Sequence, residues 1–292
     1  MQTVTRRTTT QHPDQATPVL RHQHTDALSR VVERALAHAL PPSSRTPQAL
    51  HEAMRYCVLS GGKRFRPLLC LGACEAVGVR ARRALPVACA IELIHTYSLV
   101  HDDLPAMDDA EERRGQPSCH RRFDEGTAVL AGDALLTLAF ALLARNGTPN
   151  TLAIIRTLGE ACGTTGLIGG QALDLAALRH PAPAGEGALR EIARRKTAAL
   201  ITGSVVSGGL AGDAGAPALA ALRRYGQGIG LAFQLIDDLH DRDGLAAALG
   251  PGGLRREADR AIAGAVRALD RFGDRAKTLR ALASRLAATA ET

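Results

Sequence analysis

The sequence predicts an all-α fold, organised as a single large helical bundle. Three observations point there. Apolar residues recur at helical spacing along most of the 292 residues. No segment alternates apolar and polar residues as a half-buried strand would, and the Asn146-Gly147 pair falls between two helical segments rather than two β-branched runs. Residues 85–100 and 228–236 are apolar around most of their circumference, which places them at the centre of a bundle. The chain is long enough to bury such a centre.

The elements follow in order. Residues 25–40 set Leu28, Val31, Val32, Ala35 and Leu36 on one stripe, and Pro41-Pro42 stops it. Thr46-Pro47 should start the next helix by cap and first-turn proline, running to Ser60-Gly61-Gly62. Helices are expected over 64–77, 85–103, 128–145, 151–177, 188–210 and 217–239, with a loop at Gly115-Gln116-Pro117. A basic amphipathic segment, 257–288, closes the chain. Residues 1–24 are polar, carry Arg6, Arg7, Asp14 and Arg21, and lack the apolar core of a signal peptide. They are expected to form a flexible N-terminal extension, with residues 25–292 as one helical domain.

Composition narrows the function. The formal net charge is +7, and only three of the 36 basic residues are lysine, namely Lys63, Lys196 and Lys277. A lysine in a distinctive setting therefore merits inspection, and the positive balance suits an anionic substrate. Aromatic residues are 3% with no Trp, which argues against stacking on nucleic-acid bases. No uncharged apolar run reaches about 18 residues, so no membrane span is expected. The six cysteines contain no C-x-x-C pair and sit mostly among apolar neighbours. They read as small buried hydrophobes of a reducing, cytoplasmic protein, and their spacing argues against a zinc site.

Two acidic clusters carry the chemistry. A largely apolar helix runs into His101-Asp102-Asp103, followed by Asp108-Asp109 and Arg113-Arg114-Gly115. Carboxylates at the end of a core helix are costly unless paired or bound to metal. Oxygen ligands favour Mg²⁺, which commonly takes one or two carboxylates and completes its shell with substrate phosphate. Asp102 and Asp108 are six residues apart and would diverge on a regular helix. Pro105 disfavours regular helix, so a local bulge could bring them together. The second cluster repeats the design: an apolar helix ends in Asp237-Asp238 and Asp241. Asp237 and Asp241 share a helix face, so a cation should lie between them. Two such clusters suggest carboxylates facing each other across a bundle and clamping Mg²⁺ on a diphosphate.

A third cluster is Ser60-Gly61-Gly62-Lys63-Arg64-Phe65-Arg66-Pro67. Glycines let the backbone approach closely, and the cations that follow suit phosphate oxygens. No nucleophile triad can be assembled from local spacing. The substrate is therefore read as a diphosphate whose carbon–oxygen bond breaks, with a hydrocarbon remainder lining the apolar helix walls.

Together these residues resemble the trans-isoprenyl diphosphate synthases, or polyprenyl synthetases, and within them the bacterial short-chain farnesyl diphosphate type. The resemblance runs from about residue 27 to 242. It rests on Gly-Gly-Lys63-x-x-Arg66-Pro, the first Asp-rich motif with its two-residue insertion, Arg113-Arg114-Gly and Ala131-Gly132-Asp133-Ala134. Gly170-Gln171-x-x-Asp174, Lys196-Thr197 and Phe233-Gln234 before Asp237-Asp238-x-x-Asp241 complete it.

The resemblance implies a helical bundle of the isoprenoid synthase type with a central cavity, about three Mg²⁺ ions and a homodimer. It implies that Asp102 and Asp108 hold two ions on an allylic diphosphate, supported by Asp103. Asp237 would hold a third, with Asp238 placing its neighbours. Arg113 and Lys196 would bind the allylic diphosphate, and Lys63, Arg66, His95 and Arg114 would bind isopentenyl diphosphate. Lys196, Thr197 and Gln234 would steady the allyl cation. Tyr97 and Ser98, just upstream of the first motif, would set product length. A phenol at Tyr97 implies farnesyl diphosphate; a geranylgeranyl diphosphate synthase and a subunit of a heteromeric synthase are the alternatives. The chain departs from the pattern after Asp241: Leu249-Gly250-Pro251 stands where Leu-Gly-Lys is usual, and a second lysine loop is missing. Arg255 or Arg256 could stand in for these cations.

Overall fold

The computed structural model describes residues 18–145, 147–148, 150–179, 185–242 and 244–290. The fold is an all-α bundle. Helices α1 (Pro18–Ala39), α2 (Gln48–Leu59), α3 (Phe65–Ala76) and α4 (Leu85–Asp102) are followed by a two-residue-strand hairpin, β1 (Glu112–Arg113) and β2 (Gln116–Pro117). Then come α5 (Cys119–Arg122), α6 (Glu125–Ala144), α7 (Thr151–Cys162), α8 (Leu167–Leu178) and α9 (Glu186–Ala193). A π-helical turn, Arg194–Ala198, leads into α10 (Ala199–Ala211), and α11 (Ala216–Asp241), α12 (Ala246–Ala268) and α13 (Lys277–Thr289) finish the bundle.

Several boundaries differ from expectation. Helix α1 begins at Pro18 and so takes in the end of the segment expected to be an extension; residues 1–17 lie outside the described residues. Thr46 does not cap α2: Pro47 holds the N-cap position with extended backbone, and no side chain bonds the first amides. The segment 151–177 divides into α7 and α8 at Gly163, whose backbone is extended. The closing segment divides at Gly273, whose φ of 54° is left-handed, and α12 starts well before Glu257, with a kink at Gly250 ahead of Pro251. Apolar periodicity resumes after each glycine, so the pattern alone hides the break.

Two apolar clusters form the core. One joins α1, α2, α4, α6 and α7; the other joins α11, α12 and α13. Helices α3 and α10 contribute to both and form the partition between them. On α3, Cys70, Leu71 and Cys74 face the first cluster, while Leu68, Leu69 and Ala73 face the second. The partition is tight: a Cβ at Gly208 of α10 would lie 2.0 Å from the Cys70 carbonyl oxygen of α3, so only glycine fits.

Helix α6 and the stretch from Ala81 to Asp102 are long and apolar enough to cross a membrane by length and composition. In the latter, 72% of the most apolar window is buried, as a core helix should be, whereas in α6 the share is 33%.

A buried charge network joins α1, α3 and α4. Arg64, the N-cap of α3, has a left-handed backbone (φ 47°), uncommon for a residue with a side chain. Its guanidinium bonds Glu92 and Glu33, each at 2.6 Å, and the Val58 carbonyl at 2.6 Å. Arg64 and Glu92 are both 2% exposed, so neither charge has solvent to fall back on. Breaking a buried pair by removing one partner typically costs about 3–5 kcal/mol. Glu92→Ala should destabilise the protein by that order in chemical denaturation. Glu33→Ala should cost about 1 kcal/mol or less, because the Glu33 side chain is 37% exposed and water replaces it.

Candidate active site

Two core helices deliver the acidic clusters. Helix α4 ends at Asp102, and the chain beyond it folds back on itself. The Asp108 amide donates to the Asp102 carbonyl (2.9 Å), and the Ala110 amide to the Asp103 carbonyl (3.2 Å). The two-residue insertion around Pro105 therefore returns Asp108 to the helix end instead of continuing it. Asp102 feels the charges of both Asp108 and Lys196, and burial pushes its carboxyl up to about 6. Helix α11 ends at Asp237–Asp241. Burial pushes Asp237 up to about 6 as well, with Asp241 adding like-charge repulsion and Arg66 partly offsetting it.

The second aspartate of each adjacent pair is committed to the protein. Asp103 is 2% exposed and accepts a forked contact from Arg113, whose Nε lies 3.1 and 3.2 Å from its oxygens. Asp238 is 7% exposed and accepts from Gln234 Nε2 (2.6 Å) and the Leu245 amide (3.0 Å). Gln234 Oε1 in turn accepts from the Thr197 hydroxyl (2.7 Å). Among the described residues, Asp102 and Asp237 make no such side-chain bonds.

The cations converge from four directions. Lys196 lies in the π-helical turn and pairs with Asp174 of α8 at 2.6 Å. That turn and α8 touch backbone to backbone: a Cβ at Gly170 would lie 2.2 Å from the Lys196 nitrogen. Arg66 on α3 lies 3.4 Å from His95 of α4 and 5.7 Å from the Phe233 ring of α11. It thus bridges the two acid-bearing helices. Burial, reinforced by the charges of Arg66, Arg114, Arg64 and Arg113, holds the His95 imidazole well below the usual range, so the ring is neutral. The β1–β2 hairpin carries the remaining pair. Arg114 and Gly115 both have positive φ, as a two-residue primed turn demands, and the Arg114 guanidinium donates to the Gly61 carbonyl. Lys63 is exposed beside it.

The placement of Asp102, Asp108, Lys196, Thr197, Gln234, Asp237 and Arg66 around one end of the bundle follows from these contacts. Arg64, one of the three cations grouped as a phosphate site, belongs to the core network instead. Ser98 is buried and donates to the His95 carbonyl. Tyr97 is 4% exposed, packs edge-on to His101 at 5.8 Å, and its hydroxyl has no partner among the described residues. Sequence reasoning passed over Glu92, although an acid inside Ala-Ile-Glu-Leu-Ile was a readable signal of a buried pair. It also gave Gln171 no role; that side chain is 8% exposed with both amide atoms unpartnered. Arg255 and Arg256 lie on an exposed face of α12.

The all-helical bundle with acids at the ends of two core helices defines the fold class, and the sequence comparison specifies the family. The chain belongs to the polyprenyl synthetase family, whose model matches residues 47–255. It is 43% identical over 228 residues to the heterodimeric geranylgeranyl pyrophosphate synthase large subunit 1 of Arabidopsis thaliana, covering 73% of this chain and 59% of that protein. It is 47% identical over 216 residues to geranylgeranyl pyrophosphate synthase 12 of the same plant, covering 72% of this chain and 59% of that protein. The chain thus spans about three fifths of the curated relatives it matches. Among solved structures, an FPP/GFPP synthase from Zymomonas mobilis superposes with a TM-score of 0.88 at 37% identity, covering 92% of this chain and 99% of that one. A geranyltransferase from Legionella pneumophila gives 0.88 at 35%, covering 94% and 99%.

The raised carboxyls make a testable statement about the ion-free protein. A carboxyl with a folded value near 6, against an ordinary value of 3.8, binds more protons folded than unfolded between those limits. Stability must therefore fall as pH rises from about 4 through about 6. Asp102→Asn and Asp237→Asn should each flatten that decline and stabilise the ion-free protein at pH 7, read by denaturant titration at several pH values.

Proposed function

We propose that the protein is a short-chain prenyltransferase that condenses isopentenyl diphosphate with dimethylallyl or geranyl diphosphate to give farnesyl diphosphate. The observation that carries this reading is that Asp102 and Asp237, at the ends of α4 and α11, are partly buried without side-chain bonds among the described residues, while the charge of Lys196 bears on Asp102 and that of Arg66 on Asp237. That arrangement suits a diphosphate held through divalent cations.

Mg²⁺ fits the donors: all are carboxylate oxygens, and two of them are buried at a charge cost that a cation would remove. When bound, the ions, three by family resemblance, supply charge stabilisation for the departing diphosphate. Lys196 and Arg113 are placed to add to it, each steadied by its own aspartate, Asp174 and Asp103. Thr197 and Gln234, linked by their hydrogen bond, present oxygen dipoles toward a developing allyl cation. Lys63, Arg66, Arg114 and neutral His95 would receive isopentenyl diphosphate. Held well below its ordinary pKa, the His95 imidazole is a weak base, so the proton released on condensation would go to the leaving diphosphate.

Tyr97 supports a fifteen-carbon limit, because its phenol is buried and near enough to Asp102 to feel its charge. A geranylgeranyl product is the second reading, favoured by the names of the plant relatives. The half-uncovered apolar face of α6, with Val129 41% and Leu130 58% exposed, supports a homodimer; the heterodimeric relative makes a heteromeric subunit the competing arrangement.

Incubation with Mg²⁺, isopentenyl diphosphate and dimethylallyl, geranyl or farnesyl diphosphate, followed by chromatography of the dephosphorylated alcohols, tests the reading. Farnesol should dominate, and no elongated alcohol from any starter would overturn it. Asp102→Ala and Asp237→Ala should each lower kcat/KM by about 10²-fold or more, the usual cost of one electrostatic contact to a transition state. Tyr97→Ala should shift the main product beyond fifteen carbons; an unchanged product would remove Tyr97 as the floor.

A further inference from the structure

Six thiols are free in this protein, and two of them meet beside the arginine hairpin. Cys57 lies on α2 and Cys119 opens α5. Both line one small cavity, about 30 Å³, together with Ser60, Asp103, Arg113 and Arg114. The elements that bring them together are firmly joined. The Tyr56 hydroxyl donates to the Pro117 carbonyl at 2.6 Å, and the Tyr56 ring meets Phe123 edge-on at 5.7 Å. Arg114 donates to the carbonyl of Gly61, four residues beyond Cys57. Cys57 is partly exposed and Cys119 is 3% exposed.

We propose that Cys57 and Cys119 are a redox-active dithiol, oxidised by a hydroperoxide to an intramolecular disulfide that locks the base of the Arg113–Arg114 hairpin. The chemistry follows from the pair's asymmetry. The contact between the two thiols lowers the Cys119 pKa and raises that of Cys57. Cys119 is therefore the thiolate that attacks. By contrast, burial pushes Cys74 up to about 11 and Cys89 up to about 12, and raises Cys70 well above its ordinary value, so those thiols are poor nucleophiles. The Cys119 sulfur takes one peroxide oxygen, the O–O bond breaks, and hydroxide leaves to become water, giving a sulfenic acid. The Cys57 sulfur then attacks the Cys119 sulfur; the S–O bond breaks, and the departing hydroxide takes the Cys57 proton as a second water. The peroxide is reduced by two electrons and the dithiol is oxidised by two. The cavity is large enough for such a small oxidant and too small for a tripeptide disulfide.

A disulfide needs its sulfurs at about 2.05 Å, closer than two hydrogen-bonded thiols stand. Oxidation therefore closes the gap between the two sulfurs and ties α5 to α2 beside Arg113 and Arg114. This consequence rests on the proposed role of those arginines in diphosphate binding.

The test treats the full-length protein with hydrogen peroxide, alkylates the remaining thiols and maps peptides without reduction. A Cys57–Cys119 cross-linked peptide, 2 Da lighter than its parts and reversed by dithiothreitol, is expected in the wild type and absent from Cys57→Ser and Cys119→Ser. Recovery of both cysteines as thiols, or cross-linking of another pair, would overturn the proposal. In the same samples the KM for isopentenyl diphosphate should rise about tenfold on oxidation of the wild type and stay put in both serine variants. A cross-linked, active enzyme with unchanged KM would overturn the coupling to the hairpin. If neither form condenses substrates, the functional reading fails while the peptide map still decides the dithiol.

Discussion

Everything at this site depends on negative charge collected at two helix ends. The C-terminus of any helix carries partial negative charge from its free carbonyls. Helices α4 and α11 both add aspartates there, and burial makes those charges expensive enough to push Asp102 and Asp237 up to about 6. A fold selected for stability alone would pair or discard them. Here the pairing is selective. In each Asp-Asp doublet the second residue, Asp103 or Asp238, is bonded into the scaffold, and the first is left to face the cations. Fixing one member holds the backbone so that its neighbour stays aimed without a bond of its own. Under the proposed function, that electrostatic cost would be returned as binding energy for divalent ions and the diphosphate they carry.

The cationic side divides its labour in the same way. Within the stretch Lys63-Arg64-Phe65-Arg66, the middle arginine turns inward through a left-handed backbone and is spent on Glu33 and Glu92. That sacrifice anchors the start of α3 to α1 and α4. Arg66 then reaches His95 on one side and Phe233 on the other from a rigid base. Burial of His95 among four guanidiniums is tolerable only because the ring is neutral, which also leaves the positive charge nearby undiluted for an anionic ligand.

Much of this was legible in the sequence. The helical class, the buried position of α4 and α11 and the acids at their ends follow from periodicity and from apolar runs that finish in carboxylates. The return of Asp108 to Asp102 was readable because Pro105 forbids the regular helix that would separate them. What stayed hidden depends on long-range contact or on single backbone angles. Nothing local separates Arg64 from its neighbours; its partners are 31 and 28 residues away. The breaks at Gly163 and Gly273 interrupt helices whose apolar pattern continues across them. The hairpin at residues 112–117 is too short for alternation to register, yet it sets the direction of both Arg113 and Arg114. The π-helical turn at Arg194–Ala198 has no apolar signature, and it is what turns Lys196 toward Asp174 while Thr197 meets Gln234.

Product length calls for a different kind of inference from the rest. Overall identity averages over the matched residues, 228 and 216 of them in two of the plant relatives. The length at which a growing hydrocarbon stops is decided by the volume of one or two side chains at the bottom of its path. A steric floor of this kind needs rigidity as well as bulk, since a flexible side chain would yield to an extra isoprene unit. Tyr97 has both: it is buried in a core helix, wedged edge-on against His101, and pointed where its hydroxyl meets no partner. Leaving a phenol unbonded in the interior costs free energy that a leucine or phenylalanine would spare. The proposed fifteen-carbon product therefore rests on this local packing more than on the names of the relatives, whose average similarity says little about the depth of one wall.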